Sequence, residues 1–260
     1  MKRSFFYLMG AFCMVSLITI LSACSSDNSE MDDVLTRQEG TEYVSRQTYF
    51  DIPFSDEVYV YSMHWEGIDG GWKYLDNEEK EKIATIPASY GKNVSTSALI
   101  LTWLDNPLMD VYHFFDHPFE KYQKMLREEF GKNLYEEMLT RDDMGTCLLT
   151  LYKALNLDAD YMYINRLHGD LLYLCCMSEF NSKMTLEEMK EFGRIVIERN
   201  GASDYVGIFF PLSHIMLSAG YSPAVELLKN PEYQDFLEWG WGRVPSPDVF
   251  SEIIDDFLNS

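Results

Sequence analysis

From Leu75 onward the sequence is cut into short apolar stretches by helix caps at one end and Pro or Gly at the other, and none of these stretches alternates with the period of a strand. Asn77 stands where it can cap a helix running to Ile86 before Pro87, and Ser95 can cap one running to Leu104 before Asn106-Pro107. Pro107 and Pro118 occupy first-turn positions for helices Leu108 to Phe115 and Phe119 to Phe130. Thr140-Arg141-Asp142-Asp143 reads as a cap with an acidic third position, followed by Cys147, Leu148, Leu151, Tyr152 and Leu155 at helical spacing. Asp160 to Met177 is a long apolar helix, and Thr185-Leu186-Glu187-Glu188 is a capping box opening a helix to Asn200, with Gly201 as its stop. Tyr205 to Ala219 is apolar nearly all round, which predicts a central buried helix ended by Gly220. Short helices follow at Pro223 to Lys229, Pro231 to Trp239 and Pro247 to Leu258. Eight to ten helices with short connectors predict an all-α multi-helix bundle or irregular helical array.

The segment before this body differs in kind. Thr41 to Tyr74 holds nine aromatics in 34 residues, and Glu57-Val58-Tyr59-Val60-Tyr61-Ser62-Met63 is β-prone. Gly67, Gly70 and Gly71 then interrupt it. The expectation for 41–75 is a short strand or hairpin, or extended chain lying on the helical body, with 41–260 as one globular domain.

The N-terminus is a targeting segment. Lys2 and Arg3 precede an apolar run from Phe5 to Leu21, then Ser22-Ala23 and Cys24. The run is broken by Gly10, Ser16 and Thr19 and has no basic stop-transfer flank, so a secretory signal over 1–23 fits better than a permanent span. Leu21-Ser22-Ala23-Cys24 resembles the lipobox of bacterial lipoproteins. That resemblance implies cleavage before Cys24 and modification of its thiol by a diacylglycerol carrying palmitate-type chains. Such chains contribute about 0.8 kcal/mol per buried methylene, enough to hold a protein on a bilayer without a transmembrane helix. Ser25-Ser26-Asp27-Asn28-Ser29-Glu30 continues as a polar, acidic tether over 24–40. Its composition is similar to the surface-export signal of Bacteroidota lipoproteins, implying an outer-membrane, outward-facing position.

The 260 residues carry 42 Asp plus Glu against 21 Lys plus Arg, a net charge of −21, and removal of Lys2 and Arg3 takes this to −23. A nucleic-acid partner is excluded on that account, because phosphate neutralisation supplies most such affinity. Loss of Cys13 with the signal and acylation of Cys24 leave Cys147, Cys175 and Cys176, too few and too odd for a disulfide framework. Adjacent Cys175-Cys176 in an apolar helical run read as small buried hydrophobes, with one bond from Cys147 to either left open.

Chemical constellations are sparse. His113 and His117 are the one His pair at metal-ligand spacing, but Phe114 stands where a zinc protease needs its general base, and Pro118 follows directly. Ser213-His214 are sequence neighbours, which does not make a triad, and Met216-Leu217-Ser218-Ala219-Gly220 lacks the first Gly and the strand of a nucleophile elbow. Acidic doublets such as Glu128-Glu129 and Glu187-Glu188 read as solvated helix faces. No catalytic residue, metal site or cofactor is expected. Trp65, Trp72, Trp239 and Trp241, each close to glycines, are the candidate ligand-binding residues, since rings on loops can stack on sugars or peptides.

From about Ser95 to Glu238 the body resembles a group of uncharacterised secreted bacterial helical proteins, through Leu104-Asp105-Asn106-Pro107-Leu108-Met109-Asp110-Val111-Tyr112, through Leu139 to Asp143 leading into Leu148 to Tyr152, and through Met184 to Glu188. No activity follows from it. The expectation is a non-catalytic, surface-anchored lipoprotein that binds the bilayer through Cys24 and a partner protein or extracellular ligand, glycans included. The alternative is a hydrolase acting on glycan or peptide, with carboxylates brought together from distant positions.

Overall fold

The computed structural model describes residues 49–52, 57–62, 74–109, 117–158, 161–200, 205–240 and 242–260. Among these the chain is all-α, with twelve α-helices, two 3-10 turns and no strand. In chain order the helices are α1 (Asn77–Ala84), α2 (Thr96–Leu104), α3 (Pro118–Arg127), α4 (Lys132–Leu139), α5 (Met144–Ala154), α6 (Tyr161–Cys176), α7 (Ser178–Asn181), α8 (Leu186–Asn200), α9 (Tyr205–Ser218), α10 (Ser222–Leu228), α11 (Gln234–Trp239) and α12 (Pro247–Asn259).

The most apolar stretch takes the centre. Ile208, Phe209, Phe210, Leu212, Ile215 and Met216 of α9 are all buried, and this helix packs against α6, α7, α8, α10, α11 and α12. A helix that is apolar all round can satisfy its backbone internally and bury every face, so it takes the position with most neighbours. Gly220 ends it in the left-handed region at φ +64°, where a side chain would be strained. The second centre is α2, in which eight of nine residues are buried. Trp103 Nε1 donates to Tyr122 Oη at 2.9 Å, and Tyr122 Oη donates to the Asp170 carbonyl at 3.0 Å, a buried relay that ties α2 to α3 and α6.

Of the aromatic-rich segment, 49–52, 57–62 and Tyr74 are described, and several of these residues hydrogen-bond to the helical body. Tyr59 N donates to Thr102 Oγ1 at 3.0 Å and Tyr61 Oη to the Thr102 carbonyl at 2.9 Å, while Tyr90 Oη reaches the Glu57 carbonyl. The one ladder element among its described residues is an isolated antiparallel bridge, Phe50 to Leu155. The described part of the β-prone run, 57–62, finds partners in Thr102 of α2 and in Tyr90, with no strand beside it among the described residues; Met63 lies outside them.

Several local expectations need correction. The first helix is capped by Asp76, not Asn77: Glu79 N donates to Asp76 Oδ1 and Asp76 N to Glu79 Oε2, both at 2.9 Å, and the helix stops at Ala84. Thr140 closes α4 rather than opening α5, its hydroxyl donating to the Glu137 carbonyl at 2.7 Å. Asp143 precedes α5, and its carboxylate accepts from Thr96 Oγ1 at 2.6 Å, bolting α5 to the start of α2. Two helices fall outside the expected set: α4, which buries only Leu134 and Met138 of its eight residues, and the four-residue α7, a single turn. Of Leu108 to Phe115, only 108–109 are described, in a turn. Ser95 and the Thr185/Glu188 capping box act as read, the latter with Thr185 N donating to Glu188 Oε2 at 2.8 Å. Cys147, Cys175 and Cys176 are free thiols, so the open bond from Cys147 is not made.

Candidate functional site

A cleft of about 570 Å³ opens where four segments meet, of the size that takes small ligands. One wall is the outward side of α3, with Phe119, Glu120, Gln123 and Arg127. Cys176, Met177 and Ser178 line it from the junction of α6 and α7, His214 from α9, and Leu237 and Glu238 from α11. Pro118 at the first turn of α3 sets that helix without needing an N–H, and Glu120 beside it complements the positive helix end.

An aromatic cluster supports the cleft from within. Phe119 meets Phe210 at 5.2 Å and His214 at 5.4 Å between ring centroids, and Phe210 meets His214 at 4.8 Å, all edge to face. His214 is held by one hydrogen bond, from Nε2 to the Leu237 carbonyl at 3.1 Å. A carbonyl only accepts, so Nε2 carries the proton and Nδ1 keeps its lone pair. Burial lowers the pKa of this imidazole to about 4, outweighing the carbonyl that favours the charged form. The ring is therefore neutral at physiological pH.

Arg127 has its fork occupied. Nε and Nη2 donate to Glu179 Oε1 at 2.8 and 2.6 Å, and Nη1 donates to Gln123 Oε1 at 2.6 Å. Tyr135 Oη from α4 donates to the same Glu179 oxygen at 3.0 Å, and burial together with that carboxylate raises the tyrosine pKa. Glu120 and Glu238 are exposed and make no hydrogen bond or ion pair among the described residues. Cys176 is fully buried, and burial pushes its thiol well above the ordinary range.

The residues singled out from sequence fare unevenly. Cys24, Trp65, Trp72, Trp241 and His113 lie outside the described residues. Trp239 is the last residue of α11, directly after the cleft-lining Leu237 and Glu238. His117 sits just before α3. Among the described residues no three His, Cys, Asp or Glu side chains gather as a metal site. Ser213 donates to the Phe209 carbonyl at 2.7 Å within its own helix, so it is not paired with His214. His168 stacks on Tyr152 and shares a 2.6 Å hydrogen bond with its hydroxyl, inside the body and apart from the cleft residues. The cleft itself had one weak sequence signal, a polar-aromatic His at position 214 in an otherwise apolar central helix.

Among the described residues no helix is long and apolar enough to cross a membrane. No protein-family model matches the chain, and neither do the curated proteins or the solved structures compared with it.

Proposed function

We propose that this protein is a non-catalytic lipoprotein, held on the outer membrane by acylated Cys24 and exposed at the cell surface, which binds an extracellular ligand or a segment of a partner protein in the cleft between α3 and α11. The lipobox-like Leu21-Ser22-Ala23-Cys24 supports the anchor, and the acidic stretch behind it supports outward display.

The observation that carries the binding reading is the state of His214. An imidazole with a pKa near 4 is a weak general base at neutral pH, and its N–H is committed to the Leu237 carbonyl. What it offers the cleft is a fixed hydrogen-bond acceptor, useful for orienting a ligand. Nearby Cys176, buried and hard to ionise, is equally ill suited to act as a nucleophile.

The anchor is tested by Cys24→Ser with membrane fractionation. The variant moves to the soluble fraction; unchanged pelleting in detergent-free buffer refutes lipidation. The non-catalytic reading is tested by assaying glycan and peptide hydrolysis. Turnover that collapses on substituting Glu120 of α3 or Glu238 of α11, both of which line the cleft, would install the hydrolase in its place.

A further inference from the structure

We propose, resting on the binding reading above, that the cleft is a receptor site for a primary ammonium group on a short aliphatic stem, as a lysine side chain of a peptide or a free polyamine presents. Three independent features of the lining agree on this chemistry.

The first is charge. Arg127 is neutralised by Glu179, and three of its five N–H donors are turned onto Glu179 and Gln123, so it brings no free positive charge to the cleft. Glu120 and Glu238 are carboxylates without a partner among the described residues, one from each wall. The cleft therefore holds an uncompensated charge of two carboxylates, inside a molecule whose net charge of −21 draws cations toward it.

The second is hydrogen bonding. With Nε2–H engaged by the Leu237 carbonyl, the ring of His214, which lines the cleft, makes no other hydrogen bond among the described residues. Nδ1 is then an acceptor awaiting a donor. An ammonium group brings three donors and no acceptor, which suits two carboxylates and one imidazole lone pair.

The third is shape and polarity. Phe119, Met177 and Leu237 give the cleft an apolar side on which methylenes can lie. A bare metal ion would leave that surface unused.

The test is isothermal titration of the full-length protein in detergent micelles with spermidine, with a lysine-containing hexapeptide and with the same peptide acetylated on its lysines. The double variant E120Q/E238Q is compared with E78Q/E252Q, which makes the same charge change at exposed acids of α1 and α12. The proposal expects at least one amine probe to bind, the acetylated peptide to lose that binding, E120Q/E238Q to weaken it tenfold or more, and E78Q/E252Q to change it less than twofold. Binding of the peptide alone points to a protein source and binding of spermidine alone to a polyamine. Equal weakening in the two double variants overturns the site, because the amine is then held by the acidic surface at large. So does the absence of binding by either probe, or equal affinity for the acetylated peptide. All four acids are exposed, so unchanged thermal melting is expected; if the cleft pair disturbs folding, E238Q alone carries the same comparison. A neutral or acidic ligand found on the native protein, with no amine affinity, ends this proposal and leaves the binding reading standing.

Discussion

His214 connects the packing of the central helix to a measurable pH dependence. Folding places the imidazole among Phe119, Phe210 and Leu237, and its pKa falls from an ordinary 6.5 to about 4. In the unfolded chain the same ring takes a proton near pH 6.5, so protons favour the unfolded state between those two values. The sign is that of a depressed group: the contribution is complete above pH 6.5 and is lost as pH falls toward 4. The full difference corresponds to about 3 kcal/mol, of which about 2 kcal/mol is lost between pH 7.5 and pH 5. His214→Gln supplies the comparison, since its amide can still donate to the Leu237 carbonyl and does not titrate. Urea unfolding at the two pH values should show the native protein losing about 2 kcal/mol more than the variant. Equal losses, or an NMR titration placing His214 near pH 6.5, would refute the claim that this ring is held neutral by burial.

Further expectations test the rest of the architecture. A Cβ at Gly145 would lie 2.6 Å from Met184 N and 2.7 Å from the Lys183 carbonyl carbon, both backbone, so Gly145→Ala must push α5 from that loop and should cost about 2 kcal/mol by urea unfolding, against about 1 kcal/mol for Gly220→Ala, where φ is +64° but space is open. Thr185→Ala removes the hydroxyl that accepts from Glu188 N and should cost about 1 kcal/mol, with the loss visible as fraying at the start of α8 in hydrogen exchange. Thiol labelling of the native protein should modify half-buried Cys147 first, while Cys175 and Cys176 react only on unfolding, because burial both hides them and raises their pKa.

The sequence is most legible where a local signal and the tertiary packing agree. Ser95, the Thr185/Glu188 box and Gly220 mark helix ends that the fold uses, and the all-round apolar run after Tyr205 becomes the central helix. Misreadings arise where one residue type serves two purposes. Thr140 resembles an N-cap but bonds back to Glu137, while Asp143, three residues closer to α5, accepts from Thr96 across the fold. The helix Lys132–Leu139 escapes notice since only Leu134 and Met138 of its eight residues are buried. The β-prone run at Glu57 follows its composition until Thr102 and Tyr90 offer better-placed partners than a second strand. The cleft is the least legible feature of all. Its residues come from positions 119 to 127, 176 to 178, 214 and 237 to 238, and no motif joins them; only the folding of α3, α9 and α11 against one another does. Of the four tryptophans expected to bind a ligand only Trp239 lies among the described residues, at the end of α11 after Glu238.

Native mass spectrometry of the full-length protein, released from its own membrane in mild detergent, bears most directly on a lipid-held binding protein. The expected spectrum is a chain that begins at Cys24, carries the added mass of a diacylglyceryl group and its acyl chains, and retains a near-equimolar bound species that is lost in E120Q/E238Q. A chain with an unmodified Cys24 and nothing bound would contradict the account.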